Sequence, residues 1–436
     1  MTISTRVAVT GLVAAMALSA CGASDNPPAG TTSPEGTEST SPDDMEATIS
    51  YALWDSNQVA AVEKNIADFN KTYPNVEVRI NLTPWGDYWT KLQTQASTGT
   101  LPDVFWMNGP NFQYYAANGA LEPIDALIDS GDFDSSKYPA GLNELYTYDG
   151  AQYGVPKDID GLGVWYNKAI LEEAGVAVPT DDWTWEDFQT AAKTVSDNLK
   201  DQGIYGVVPE LGDGQNCYYN TILQAGGYVL SPDGQQSGFD DPDSIKGLQF
   251  WTDLIANGSS PTLEQLADTL PNQYFQSSKA AFLWSGTWMA GELSEAANAA
   301  DIDVAPLPIG PAGRGATIHG LASVVSAQSK NLAAAQAFQA YLGSEEAQMT
   351  QGQLGGVNPA FEGTSEAYVQ SVPNFNMQAM LDSAEYATPL PVSRNSAVWY
   401  QYEKDLLPDA FSGNRPVEEV AQELADRMNA ALAEEG

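Results

Sequence analysis

Eleven tryptophans, 57 carboxylates and a single histidine bound the chemistry open to this 436-residue chain. His319 is the only imidazole, and Cys21 and Cys217 are the only thiols. Neither a histidine-rich nor a cysteine-cluster zinc site can be assembled from them. Acid–base work centred on histidine is confined to one position. No metal and no cofactor is expected. What remains is aromatic faces beside carboxylates and amides. That combination suits a ligand with apolar C–H faces and a rim of hydroxyls, a sugar being the simplest case. The ordinary alternative is that the tryptophans are core residues, since each buries a large area. Trp183, Trp185 and Trp251 are read that way.

The elements that must position these side chains follow an α/β grammar. Ile49, Tyr51 and Leu53 alternate as a strand, and Val59, Val62, Ile66 and Phe69 recur at helical spacing. Val76, Val78, Ile80 and Leu82 make a second strand, and a helix carrying Trp89, Leu92 and Ala96 follows. The apolar run Val104 to Met107 is a third strand. Strand, helix, strand, helix, strand predicts a sheet with helices on its faces. Ligands of such sheets sit at the carboxyl ends of the strands, where Trp54-Asp55 and Trp106-Met107-Asn108 fall. Further on, Asp149-Gly150 predicts a tight turn. Asn167 can cap a helix starting at Lys168, and Thr184 with Asp187 resembles a capping box. Strands are expected over 161–166 and 204–208, helices over 217–225, 245–257, 333–342 and 417–432, and an apolar run over 280–284. Gly310 to Gly315 is glycine-rich but lacks the strand-and-helix frame of a phosphate loop, and reads as a surface turn.

Arg6 is the only charge before Cys21, and the apolar stretch Val7 to Leu18 is too short to span a bilayer. Residues 1–20 therefore read as a signal peptide. The segment Leu18-Ser19-Ala20-Cys21 resembles a bacterial lipobox, which implies cleavage before Cys21 and its acylation. Residues 21–47 then form a lipidated, disordered tether of Ser, Thr, Pro, Gly and acids. With 18 basic residues against 57 acidic, a net charge of -39 argues against nucleic acid as a partner and against a basic membrane-surface helix. The only expected membrane contact is the lipid.

Five segments in order resemble the family of extracellular solute-binding proteins that includes maltose-binding protein. They are Leu101 to Trp106; Tyr153 to Pro156 with Val164 to Lys168; Lys279 to Phe282 with Gly286-Thr287-Trp288; Ala305 to Pro308 leading to His319-Gly320-Leu321; and Ser396 to Tyr400. The resemblance implies a two-lobed periplasmic-binding-protein-like α/β fold with hinge strands and a ligand cleft between the lobes. It places residues 48–159 plus 321–362 in the first lobe and 160–320 plus 363–436 in the second. The chain would cross near Asp158 to Gly163, near Gly320 and near residues 361–366. It implies capture of a carbohydrate, with an oligosaccharide as the expected form, for the permease of an ABC importer, at the extracytoplasmic face of the bacterial cell membrane. Trp106, Trp288 and Trp399 match positions that offer aromatic faces to sugar rings, and Asp160 matches an acid that binds hydroxyls. Trp54, Asp55, Trp85, Asn108, Asp158, Asn216, Tyr219 and His319 complete the expected ligand-binding set. His319 is as readily a hinge histidine with no ligand contact. Near Asn108 and Asn216 the family's charged residues are absent, so the identity of the sugar is not carried over. The competing class is a secreted glycoside hydrolase, which needs two opposed carboxylates. Within the binding class, a monosaccharide, a polyol or a sugar phosphate is the alternative ligand.

Overall fold

The computed structural model of the protein describes residues 41–354 and 356–435. The expected signal peptide, the lipobox-like segment and most of the expected tether lie outside them. In chain order, strand β1 (Ala47–Leu53) leads to helix α1 (Val59–Thr72), β2 (Val76–Leu82), α2 (Trp85–Thr98), β3 (Val104–Met107) and α3 (Gly109–Ala117). The short strand β4 (Val155–Pro156) closes this first region. Then come β5 (Leu162–Asn167), α4 (Trp185–Leu199), β6 (Tyr205–Pro209), α5 (Tyr218–Ala225), α6 (Pro242–Ala256), β7 (Ala280–Gly286) and β8 (Ile302–Pro306). Strand β9 (Ala322–Val325), α7 (Leu332–Leu342), α8 (Ser396–Phe411) and α9 (Val417–Ala433) follow.

Two sheets result. The first has the order β2-β1-β3-β9-β4 and the second β8-β5-β7-β6. In the first, β1 runs parallel to both β2 and β3, and β9 is antiparallel to β3, with Ala322 opposite Met107. In the second, β6 and β7 are parallel, and β5 is antiparallel to β7, with Leu162 opposite Gly286. Both faces of both sheets are covered. Tyr51, Val104 and Trp106 pack with Phe69 and Phe338 on one face of the first sheet, while Phe105 and Met107 pack with Phe112 and Tyr146 on the other. In the second sheet Val164, Phe282 and Trp284 face Phe188, Ile222 and Trp251, while Trp165 and Leu283 face Tyr368 and Met380. This burial on two sides is why β3, β5 and β7 read as continuous apolar runs rather than alternating ones.

Local chemistry fixes the element ends. Asn167 caps its helix by accepting from the Ile170 N–H at 3.1 Å. Thr184 and Asp187 form a complete capping box at the start of α4. Asp149 and Gly150 take φ of 48° and 80°, the two left-handed residues that a tight hairpin turn requires, between paired residues 147–148 and 151–152. Gly310 to Gly315 forms a turn closed by paired Gly310 and Gly313. Strands β8 and β9 and the helical form of 396–411 were not anticipated. The first two are short, and the third holds Pro408.

Three segments run side by side between the sheets. Lys157 N–H donates to Leu321 O at 2.7 Å and Asp160 N–H to His319 O at 2.8 Å. On the other flank Ile159 N–H donates to Asn358 O at 2.9 Å. The third segment is therefore 358–360, slightly earlier than 361–366. The register at Met107 and at Gly286 brings the carboxyl ends of strands from both sheets to this hinge.

Candidate functional site

At the carboxyl ends of the first sheet sits a cluster of aromatic rings. Trp54 lies 4.9–5.8 Å, centroid to centroid, from Trp85, Tyr88, Trp89 and Trp106. Most of these pairs are edge-to-face, the arrangement the ring quadrupoles favour. Trp85, the first residue of α2, is 48% exposed, and Trp54 is partly exposed. Trp106 is wholly buried: its indole N–H donates to the Tyr51 hydroxyl at 2.6 Å, and the Lys157 ammonium stands 4.4 Å over its ring. Lys157 is itself buried and donates to Gln58 Oε1 at 2.6 Å and to Asp158 Oδ2 at 2.7 Å. The expectation that Trp106 offers an open ring face is corrected here. Its side of β3 faces the core, and its polar atom is engaged within that core. It backs Trp54 instead.

Asp55 caps the short helix at Ser56–Gln58, accepting from Asn57 N–H at 2.9 Å and Gln58 Nε2 at 2.8 Å. Asn108 does the same for α3, accepting from the Asn111 N–H at 3.2 Å. Asp158 is buried, with one oxygen on Lys157 and the other accepting from the Leu321 N–H at 2.7 Å. Burial pushes its carboxyl upward against the pull of Lys157. Both oxygens are held, which ties Asp158 to the hinge.

The second sheet presents a different wall. Glu210 follows β6 and accepts from Asn216 Nδ2 at 2.7 Å. Burial pushes Glu210 up to about 7, with nearby Asp213 adding to the shift. Tyr218 and Tyr219 donate their hydroxyls to Glu403 of α8 at 2.5 and 2.7 Å. Burial raises Glu403 to about 8. Cys217 is a buried thiol held well above its ordinary range by desolvation. Trp288 is partly exposed, with its ring against Gly286 at the end of β7. A Cβ on Gly286 would stand 2.1 Å from its ring, so the ring rests where glycine leaves room for it. Trp399 is wholly buried, donating its indole N–H to Ser393 Oγ at 2.9 Å, with Tyr400 at 4.6 Å. Its expected open face is corrected for the same reason as that of Trp106: the ring turns into the core of its own layer.

Between the two walls lies a hydrogen-bonded string. Asp160 Oδ2 accepts from Gln215 Nε2 at 2.8 Å and stands 3.1 Å from His319 Nδ1. The other ring nitrogen, Nε2, faces the Gly109 N–H at 3.0 Å. The structure thus gathers Asn108, Asp160, His319, Asn216 and Tyr219 near the hinge, and Trp54 and Trp85 beside it. α3 packs against α8 on this side, so the two layers meet there. A cavity of about 380 Å³ opens on the flank of the hinge formed by Lys137, Tyr138, Ile159, Asn358 and Phe361, and of the expected ligand residues only Asp160 lines it. Sequence reasoning missed Lys157, Gly109, Glu210, Gln215, Tyr218 and Glu403. Lys157 follows Pro156 directly in a quoted segment, and Glu403 lies one helical turn beyond Trp399. Those adjacencies were the available signals. A backbone N–H such as that of Gly109 carries none.

The profile of the bacterial extracellular solute-binding proteins matches residues 54–349, more than half of the chain. A putative binding protein of Brucella abortus is 24% identical over 265 residues, 60% of this chain and 63% of that relative. The chain thus spans less than two thirds of that relative's length. The maltooligosaccharide ABC transporter solute-binding lipoprotein of Streptococcus pneumoniae is 28% identical over 354 residues, 76% of this chain and 77% of that one. The solved structure of an ABC substrate-binding protein of Listeria monocytogenes in complex with cycloalternan superposes with a TM-score of 0.83 at 25% identity. It covers 89% of this chain and 99% of that one.

Proposed function

Because the chain belongs to the bacterial extracellular solute-binding protein family, we propose that it captures an oligosaccharide between two lobes and delivers it to the permease of an ABC transporter. The observation that carries this reading is the convergence of unlike strand ends on one hinge. Partly exposed Trp54, Trp85 and Trp288 offer ring faces. Asp160 and Asn216 lie where hydroxyls can be read, and Tyr219, buried with its hydroxyl on Glu403, stands behind them. A sugar needs both surfaces at once. The cycloalternan complex of the Listeria relative and the maltooligosaccharide named for the pneumococcal one support an oligosaccharide over a single ring. The lobes proposed are 48–159 with 321–362 and 160–320 with 363–436, and a ligand touching both favours the closed form.

No helix among the described residues is long and apolar enough to cross a membrane. Attachment is proposed to run through acylated Cys21, as in the lipoprotein relative. Mass spectrometry of the native protein is expected to find acyl chains on Cys21 and none in Cys21→Ser.

Calorimetry against malto- and arabino-oligosaccharides of two to six units is the test of capture. At least one is expected to bind and to be recovered intact. Binding by none of them would overturn the oligosaccharide reading. Shortened products in proportion to protein would make it a hydrolase.

A further inference from the structure

His319 is held between two partners that ask opposite things of its ring. The Gly109 N–H, 3.0 Å from Nε2, is a donor and can be met only by a nitrogen without a proton. Asp160 Oδ2, 3.1 Å from Nδ1, is an acceptor and is met only by a nitrogen with one. One state satisfies both: neutral imidazole, protonated at Nδ1. Gly109 opens α3 after the first sheet. Asp160 lies at the entry to the second, and the same carboxylate oxygen accepts from Gln215 at 2.8 Å. We infer that His319 is a positioning residue: in its single Nδ1–H tautomer it ties the Gly109 backbone of the first lobe to Asp160 at the second, and aims that carboxylate at the ligand.

The inference deepens the capture reading and rests on it for the ligand. Oδ2 of Asp160 is occupied by His319 and Gln215, so the other oxygen is the one that can take a sugar hydroxyl. Removing the Nδ1–H would leave Asp160 held by Gln215 alone. Adding a proton at Nε2 would set two donors against each other at Gly109. Binding should therefore depend on the Nδ1–H tautomer that meets both partners.

The groups facing the ring are named by element. Asp160 and Asp158 come from the first hinge segment. Asp213, in the loop before α5, lies within electrostatic reach of His319, Asp160 and Lys404 of α8. Tyr146 donates its hydroxyl to Gly320 O at 2.6 Å and Met107 O at 3.0 Å, and burial keeps it neutral. None of these gives Gly109 another acceptor. The chain holds one histidine, so any imidazole signal belongs to this ring.

The ring nitrogen resonances of ligand-free protein at pH 8 are expected to report the Nδ1–H tautomer. In His319→Ala the Gly109 amide should lose hydrogen-exchange protection relative to neighbouring amides, after correction for intrinsic rates. In His319→Gln, whose amide both accepts and donates, that protection should persist. Affinity for the tightest oligosaccharide of the panel should fall about three- to tenfold in His319→Ala, the worth of one hydrogen bond, and stay near the parent's in His319→Gln. An Nε2–H ring at pH 8, or a Gly109 amide as protected in His319→Ala as in the parent, would overturn the inference. The ring and amide readings need no sugar. If they hold while every oligosaccharide fails to bind, the tautomeric link stands and the capture reading falls.

Discussion

The two strand-end walls are built at equivalent places in their sheets, yet from opposite materials. The first is a set of tryptophans around Trp54, with one buried cation, Lys157, against Trp106. The second is a set of carboxyls, half-buried Glu210 and Asp213 and buried Glu403, the last holding two tyrosine hydroxyls, with Trp288 as its partly exposed indole. An aromatic wall is indifferent to hydroxyl pattern, since it meets C–H faces. A wall of carboxyls and hydroxyls is not, because each unmet polar group is costly when buried. The difference teaches a division of labour under the capture reading: the first wall sets how many rings stack, and the second sets which hydroxyls are accepted.

The comparison also separates what holds each wall up. Trp106 and Trp399 are buried anchors, one behind each wall. Replacing either with alanine removes a whole indole from a packed layer and leaves its polar partner unmet. A loss of about 3–5 kcal/mol of stability is expected, measured by denaturant unfolding without ligand. A loss below about 1 kcal/mol for Trp106→Ala would mean that the ring is not part of the core. It would return Trp106 to the open face that the resemblance implied.

The acidic wall should reveal itself through pH. Burial raises Glu403 to about 8 and Glu210 to about 7 in the folded protein, while both titrate near 4.5 when unfolded. Between those values the folded state holds protons that the unfolded chain has released. Stability therefore falls as pH rises from about 4.5 toward 8, by up to ~1.4 kcal/mol per pH unit for each group. Glu403→Gln should flatten this slope, and should compare more favourably with the parent at pH 8.5 than at pH 5. Equal slopes in parent and variant would show that Glu403 is charged throughout. Trp106 touches neither Glu403 nor Glu210, so Trp106→Ala should leave their contribution to the slope in place.

Much of this layout was legible in the sequence, for reasons that also explain the rest. Ile49, Tyr51 and Leu53 alternate, and the strand they form ends at Trp54. Thr184 with Asp187 and Asp149 with Gly150 are local devices that need no tertiary contact, and they act where they were read. Val104 to Met107 is apolar at every position, so no alternation marks which side Trp106 takes. Both sides proved to be core. Lys157 is buried only because Gln58, 99 residues earlier, reaches its ammonium. The string from Gly109 to Gln215 depends on a backbone N–H and on side chains from three distant segments. Sequence marks where chains turn and which faces are apolar. It does not mark which distant polar atoms meet.

Trp85 offers the smallest effect on stability and the sharpest contrast with Trp106. It is the first residue of α2, 48% exposed, and touches the cluster edge-on at 5.0 Å from Trp54 and 5.8 Å from Trp89. Its alanine variant gives up two aromatic contacts but opens no cavity, so a cost of about 1 kcal/mol is expected. Its helix keeps its start, because Pro84 precedes it and Gly86 and Asp87 are untouched. If the first wall stacks sugar rings, an exposed rim tryptophan is where an additional ring would rest. Truncating such an anchor typically costs ~2 kcal/mol of binding. Trp85→Ala should therefore weaken binding of the longest oligosaccharide at least tenfold while leaving the shortest nearly unchanged. Calorimetry across chain lengths checks this directly. A uniform loss at every length would place Trp85 at the centre of the site, and no loss at any length would leave Trp54 and Trp288 to carry the stacking.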